Sequence, residues 1–280
     1  MNRRPILVTA VALLATALAA TGAENVAGIF GIGTSGRALG LGGAFAALAD
    51  DEGAVFHNPA ALGRYSGIGV SSLFARQFGG VSYGSLTVAV PYGGLAVSFL
   101  DSGAIATSDG VIRYASQGIV GSVGLPVGPV SFGVRSRFFR LSAPSTGHGW
   151  SIDPALLVET SIVRVALLYE SALSSPVEYE SGASEAWTQS LRLGVAVTLT
   201  PAQGVLWNAT FEAAGLFSSL AHVALGLEAW IGGLGARVGF DGESPTFGLS
   251  VLFATLELDW AYAMNADLGN SHRVALAIRF

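Results

Sequence analysis

Gly31, Gly33 and Gly36 have the G-x-G-x-x-G spacing that brings backbone N–H groups against a dinucleotide pyrophosphate. That chemistry needs a strand before the triplet and a helix after it. The residues between Gly31 and the signal-peptide cleavage point expected below are too few for a βαβ unit, so no nucleotide site is expected. Ser82 lies in Gly80-Val81-Ser82-Tyr83-Gly84, the G-x-S-x-G spelling of a nucleophile elbow. An elbow turns from strand into helix, whereas this stretch has strand character on both sides and reads as a hairpin. His57, His148, His222 and His272 share no metal-ligand spacing, and no Ser, His and orienting group stand out as a set. The expectation is therefore no catalytic residue, no metal and no cofactor.

The charged residues are more informative. Arg135, Arg137, Arg192, Glu212, Glu228, Arg237, Glu257, Asp259, Arg273 and Arg279 fall on one face of alternating segments. Neighbouring antiparallel segments are expected to pair Glu228 with Arg237 and Asp259 with Arg273. Such a set either braces an enclosed interior or forms a polar pathway through it. Both signs interleave along the chain and no single-sign field results, which favours bracing.

The elements that carry these residues have a period of two. In 190–199, Leu191, Leu193, Val195, Val197 and Leu199 oppose Ser190, Arg192, Gly194, Ala196 and Thr198. In 255–263, Leu256, Leu258, Trp260 and Tyr262 oppose Thr255, Glu257, Asp259 and Ala261. A soluble sandwich would also alternate. Here, however, one face is wholly apolar with aromatics at the strand ends, and the other mixes small residues with charges of both signs. That is the lipid-out, polar-in pattern of a transmembrane barrel. Composition agrees: 51% of residues are hydrophobic and 12% charged, about half the charge of an ordinary soluble domain.

Fourteen strands are expected at 66–78, 81–91, 93–101, 117–126, 129–141, 151–159, 162–172, 187–200, 204–213, 219–231, 233–241, 244–253, 255–263 and 271–280; twelve is the rival count. Connections after even strands are short. Those after odd strands include 102–116, 142–150, 173–186 and 264–270, as in bacterial barrels with short periplasmic turns and long outer loops. No later run is long and apolar enough for a membrane helix.

Arg3 and Arg4, the apolar run Ile6–Ala20 and Thr21-Gly22-Ala23 read as a signal peptide, 1–23, cleaved after Ala23. An uncleaved helix would need a longer run. Residues 24–65 are rich in Gly and Ala without a sustained alternation. They are expected to form a hatch inside the barrel of 66–280, because an interior this wide cannot be filled by wall side chains alone. The chain has no Cys, hence no disulfide frame. A net charge of −5 with no basic run argues against nucleic acid.

Two stretches carry a family resemblance. Gly36-Arg37-Ala38-Leu39-Gly40-Leu41-Gly42-Gly43-Ala44-Phe45-Ala46, continuing through Asp50-Asp51 to Asn58-Pro59-Ala60, resembles the hatch of the PorV/PorQ-type outer-membrane family. Leu258-Asp259-Trp260-Ala261-Tyr262 with Leu268-Gly269-Asn270-Ser271-His272-Arg273, ending at Phe280, resembles that family's closing strands, with Trp260 where Tyr is common. The family is distantly related to the FadL-like long-chain fatty-acid transporters. The resemblance covers under a fifth of the chain. It implies an all-β outer-membrane barrel of about 14 strands with a hatch in the lumen. It leaves two functions open: passage of a small hydrophobic molecule, or a non-conducting scaffold that engages exported proteins through loops 102–116 and 173–186. Phe30, Phe45, Phe56, His57, Asn58 and Pro59 are the hatch residues expected to meet a ligand. The remaining expected partners are membrane lipid and, through the strand ending at Phe280, the barrel-assembly machinery.

Overall fold

The structure, a computed structural model, describes residues 28–280 apart from 78–79, 108–109, 144 and 265–269. The expected signal peptide lies outside the described residues. Alternation turns each segment from Gly69 onward into a strand, and the strands close on themselves. In chain order they are β1 (Gly69–Gln77), β2 (Val81–Val90), β3 (Gly93–Asp101), β4 (Ala115–Val127), β5 (Val130–Ala143), β6 (Gly147–Glu159) and β7 (Val163–Glu170). They continue as β8 (Ser190–Ala202), β9 (Val205–Leu216), β10 (His222–Ile231), β11 (Leu234–Phe240), β12 (Pro245–Phe253), β13 (Leu256–Ala263) and β14 (Ser271–Arg279). Each pairs antiparallel with its chain neighbour, and β1 pairs with β14 from Gly69↔Arg279 to Arg76↔His272. The result is a closed barrel of fourteen strands, the count expected from the sequence.

Exposure runs opposite to that of a soluble protein. Phe74, Phe99, Val123, Phe132 and Leu249 are all more than half exposed, while Ser85, Thr87, Glu212, Glu228 and Asp153 are buried. A surface this apolar has no stable place in water, and a closed barrel leaves no unpaired edge in lipid. The chain is a transmembrane β-barrel.

The turns after even strands are two or three residues long, among them Pro91-Tyr92, Gly128-Pro129, Gln203-Gly204 and Gly232-Gly233. Gly204 and Gly232 adopt positive φ (75° and 59°), the left-handed backbone that tight hairpins demand. By the loop-length rule this short-turn end faces the periplasm.

Two long connections differ from expectation. Residues 142–150 are mostly strand, because β5 and β6 run on together to Leu141↔Gly147. Residues 173–186 are not an open loop: Leu173–Tyr179 continues up β6, pairing Leu173 with Ile152, and Ser184–Glu185 folds back on it. The break that separates Leu173–Tyr179 from β7 is at Ser171, whose φ is 56° and whose N–H donates to Asp153 at 2.6 Å. A second small hairpin, Ile105–Thr107 with Gly110–Ile112, stands in the 102–116 connection.

Residues 28–65 lie inside the barrel. They comprise α1 (Gly28–Ile32), α2 (Gly36–Gly40), α3 (Ala54–His57) and a 3₁₀ turn, Pro59–Arg64. Ser35 caps α2, its Oγ accepting from Ala38 N–H at 3.1 Å. Ile29, Leu41, Phe45, Leu48, Val55 and Leu62 pack with the wall residues Leu73, Val120, Phe139, Leu157 and Leu168 into one apolar core. Helices this short are unstable alone, so the plug owes its shape to the wall around it.

Candidate functional site

Two cavities flank the plug in the lumen. The outer one, of about 340 Å³, lies toward the long loops and is lined by Phe30, Ile32, Leu39, His57, Arg192 and Arg273 among others. The inner one, of about 630 Å³, lies toward the short turns, with Arg37, Asp50, Val205, Trp230, Glu257 and Arg279 in its wall. Between them runs a thin layer of chain, α2 and the turns that follow it.

Arg37 fastens that layer. Its Nε and Nη2 donate to both oxygens of Glu228 on β10 at 2.8 and 2.7 Å, while Nη1 reaches Asp50 at 2.5 Å and Asp51 at 3.1 Å. This two-pronged geometry is the strongest form of carboxylate recognition. The Arg37 guanidinium also lies 5.4 Å from the centre of the Phe45 ring. Glu228 in turn takes Arg237 Nε at 2.5 Å and Asn208 Nδ2 at 2.7 Å. Farther round, Arg279 grips Glu52 of the plug at 2.7 Å and Glu257 of the wall at 2.6 Å. Glu212 accepts the N–H groups of Phe45 and Ala46 at 3.0 and 2.8 Å.

The outer cavity has a different character. Arg135 and Arg137 share Asp153, each 2.8 Å away, and Arg192 bridges Glu170 and Glu212. Arg273 donates to the Ile32 carbonyl and has no carboxylate partner among the described residues. Nε of Arg192, Nε of Arg273 and Nε2 of His57 are buried with no hydrogen-bond partner. His57 is wedged between Phe45 and Phe56, with ring centres 5.3 and 5.5 Å away. Burial, and then the nearby Arg192, Arg135 and Arg273, lower its pKa to about 3, so the imidazole is neutral.

The interior charges are thus sorted by height, which the interleaving along the chain hides. In the outer half Arg135, Arg137, Arg192 and Arg273 face Asp153, Glu170 and Glu212. In the inner half Arg37, Arg237 and Arg279 face Asp51, Glu52, Glu228, Glu257 and Asp259. The expectation of no single-sign bias is corrected for the inner half alone: there carboxylates outnumber arginines, whereas the outer half, with Asp241 also lining its cavity, is balanced. The expected pairing of Asp259 with Arg273 is corrected as well. The ladder sets Asp259 opposite Ala275 and Arg273 opposite Ala261, so Asp259 turns to Arg237 at 3.2 Å. Glu228 does stand opposite Arg237.

Of the six hatch candidates, Phe30 and His57 line the outer cavity. Phe45 and Phe56 are buried beneath it. Asn58 and Pro59 hold the plug together. Asn58 Oδ1 accepts from Ala60 N–H at 3.0 Å and its Nδ2 donates to the Ala46 carbonyl at 2.8 Å. Pro59, fixed in φ, starts the 3₁₀ turn. Asn58→Ala removes both bonds and is expected to destabilise plug docking by about 1–3 kcal/mol, read as faster proteolysis of residues 28–65 in the folded barrel.

Trp187 was not among the candidates. It was expected to begin a strand at 187, but β8 starts at Ser190 and Trp187 folds inward, 5.9 Å from Phe30 and 5.1 Å from the Arg137 guanidinium. An aromatic inside a stretch otherwise rich in Ser, Glu and Gly was the available signal. Two glycines of the triplet serve close packing: Gly33 meets the His57 ring and Gly36 the Asp259 side chain. Ser82 is paired between Arg76 and Asp101 in the ladder. His272 packs at a tilt against Tyr262, ring centres 4.9 Å apart.

No family model and no curated protein matches the chain. Solved structures do. The CymD monoaromatic hydrocarbon channel superposes with a TM-score of 0.58 at 13% identity, covering 89% of this chain and 98% of its own. The Ralstonia pickettii toluene transporter TbuX gives 0.56 at 12% identity, with coverage of 89% and 98%. A Pseudomonas aeruginosa FadL homologue gives 0.51 at 10%, with coverage of 88% and 98%. At such identities the likeness shows the fold, that of outer-membrane channels.

Proposed function

We propose that this barrel is an outer-membrane channel for small hydrophobic molecules, held shut by its plug. The observation that carries the reading is the pair of cavities in the lumen that α2 borders on both sides, Ala38 and Leu39 lining the outer and Arg37 the inner. A cavity of about 340 Å³ is ample for a single aromatic ring, given that a cavity of about 150 Å³ holds benzene. Phe30, Ile32 and Leu39 offer the apolar contact, and the orphaned N–H groups of Arg192 and Arg273 would favour a solute that also carries an acceptor. The superposable channels named for hydrocarbons and toluene support the same class of cargo.

Trp187, packed on Phe30, supplies the test. Titrating the detergent-purified protein with toluene should quench its tryptophan fluorescence, and Trp187→Phe should abolish most of the saturable change. A lumen empty by native mass spectrometry, together with fluorescence that toluene does not alter, rules the reading out. The finer resemblance of residues 36–60 and 258–280 to the PorV/PorQ type supports a second reading, a non-conducting scaffold for exported proteins. The hairpins at Ile105–Ile112 and Leu173–Glu185 would be its docking edges. Crosslinks from those hairpins to exported proteins, with no solute bound, would select it.

A further inference from the structure

Charge is scarce on the outward face of the wall, and where it occurs it is confined to one end. The lipid-facing positions of the fourteen strands carry no Arg, His or carboxylate except Arg76, Asp101, Arg140, His148 and His272, all at the long-loop end. At the short-turn end the same face shows Val90, Leu125, Leu234 and Phe253. Groups placed there only to meet water would serve both rims alike.

The cations come in pairs. Arg76 on β1 stands directly opposite His272 on β14, and Arg140 on β5 directly opposite His148 on β6. Opposed residues hold their Cβ atoms about 4.5–5.5 Å apart, so guanidinium and imidazole can share one ligand. One step toward the membrane from each pair is a tryptophan. Trp260 has its ring centre 6.1 Å from that of His272, and Trp150 follows His148 by two residues on β6. Every other arginine among the described residues holds a carboxylate or a carbonyl. Arg76 and Arg140 hold neither. Asp101, two strands from Arg76, is taken by both prongs of Arg113. Glu178 stands on the other side of His148 and makes no ion pair among the described residues.

We propose that each Arg–His pair is a seat for a lipid phosphate, and that the occupant is a phosphorylated glycolipid of the outer leaflet. The planar guanidinium fork matches two phosphate oxygens, and the imidazole beside it supplies a further N–H. Each arginine stem lies along the apolar wall while its head reaches the headgroup level. The tryptophans, apolar in body and polar at the tip, mark that level. Phosphorylated glycolipid makes up the outer leaflet of a bacterial outer membrane, and the pairs stand on that side alone. The Arg76 seat has no acid directly beside it, whereas Glu178 offsets the charge of the Arg140 seat, so the first is the tighter. This goes beyond the channel reading and holds whatever the cargo is.

Native mass spectrometry of the full chain in detergent, titrated with diphosphoryl lipid A and no hydrophobic solute, reads the seats directly. Two lipid molecules should bind saturably. Arg76→Gln keeps the stem and removes the charge, and should weaken the tighter one by roughly tenfold, the worth of a charge-assisted hydrogen bond. Arg140→Gln should weaken the other. The double variant should bind no better than the wild type binds lipid A stripped of both phosphates. β circular dichroism with heat-modifiable migration confirms that each barrel is folded. Phosphate-free lipid A bound as tightly as the diphosphoryl form overturns the seats, as does a double variant of wild-type affinity. So does displacement of lipid A by excess inorganic phosphate, or by phosphatidylglycerol at equal concentration. Toluene quenching is a separate readout: its loss with lipid A still bound would sink the channel reading and leave the seats standing.

Discussion

Arg37→Met unseats the plug and leaves the barrel standing. The guanidinium is buried and makes four donor contacts, two of them to Glu228 at 2.7 and 2.8 Å. Removing one partner of a buried pair costs roughly 3–5 kcal/mol, because the other charge stays behind unpaired. Here Glu228 would retain Arg237 and Asn208, but Asp51 would be left with one backbone N–H. Barrel strands keep their ladders, since Arg37 belongs to none of them. The expected record is a large rise in ion conductance and rapid cleavage of residues 28–65 by added protease, with unchanged heat-modifiable migration. The Arg37→Met, Glu228→Met pair should recover part of the closure, as both charges are then gone. A single variant as tightly shut as the wild type would remove Arg37 from the account of how the lumen is closed.

Gly133→Val should have a comparable effect through sterics alone. A Cβ at Gly133 on β5 would stand 2.2 Å from the Ala60 nitrogen and 2.5 Å from the Pro59 carbonyl carbon. Those neighbours are backbone, held by the Asn58 cap, and cannot swing aside as a side chain would. Overpacking of this kind costs about 1–3 kcal/mol or more, while Val suits a strand at least as well as Gly. The barrel should therefore assemble with the turn Pro59–Arg64 displaced. Gly121→Val on the adjacent β4 is the control, since a Cβ there meets nothing within 4 Å. Amide exchange across residues 54–64 should quicken in the first variant and stay as in the wild type in the second. Equal protection in both would show that the turn does not rest on β5.

The strands were readable because their signal is local. A period of two assigns each residue to lipid or lumen from its immediate neighbours, so all fourteen segments and the inward placement of Arg135, Glu228, Arg237 and Arg273 follow without knowledge of the rest. Segments 187–200 and 219–231 began late, at Ser190 and His222, because parity says nothing about where a strand stops pairing.

Height along the barrel axis is another matter. It depends on the stagger between strands, and one step of two residues moved Asp259 from Arg273 to Arg237. The same stagger decides which interior acids and bases meet at one height, and it leaves the inner half with more carboxylates than arginines although both alternate along the chain. Arg37 and Glu228 are 191 residues apart, and Trp187 reaches Phe30 only because the chain above β7 folds back. Sequence alone determined the wall, since the choice between two faces is made residue by residue. The tertiary structure decided what the wall encloses, because contacts between a plug and strands remote in sequence exist only once the cylinder has closed around it.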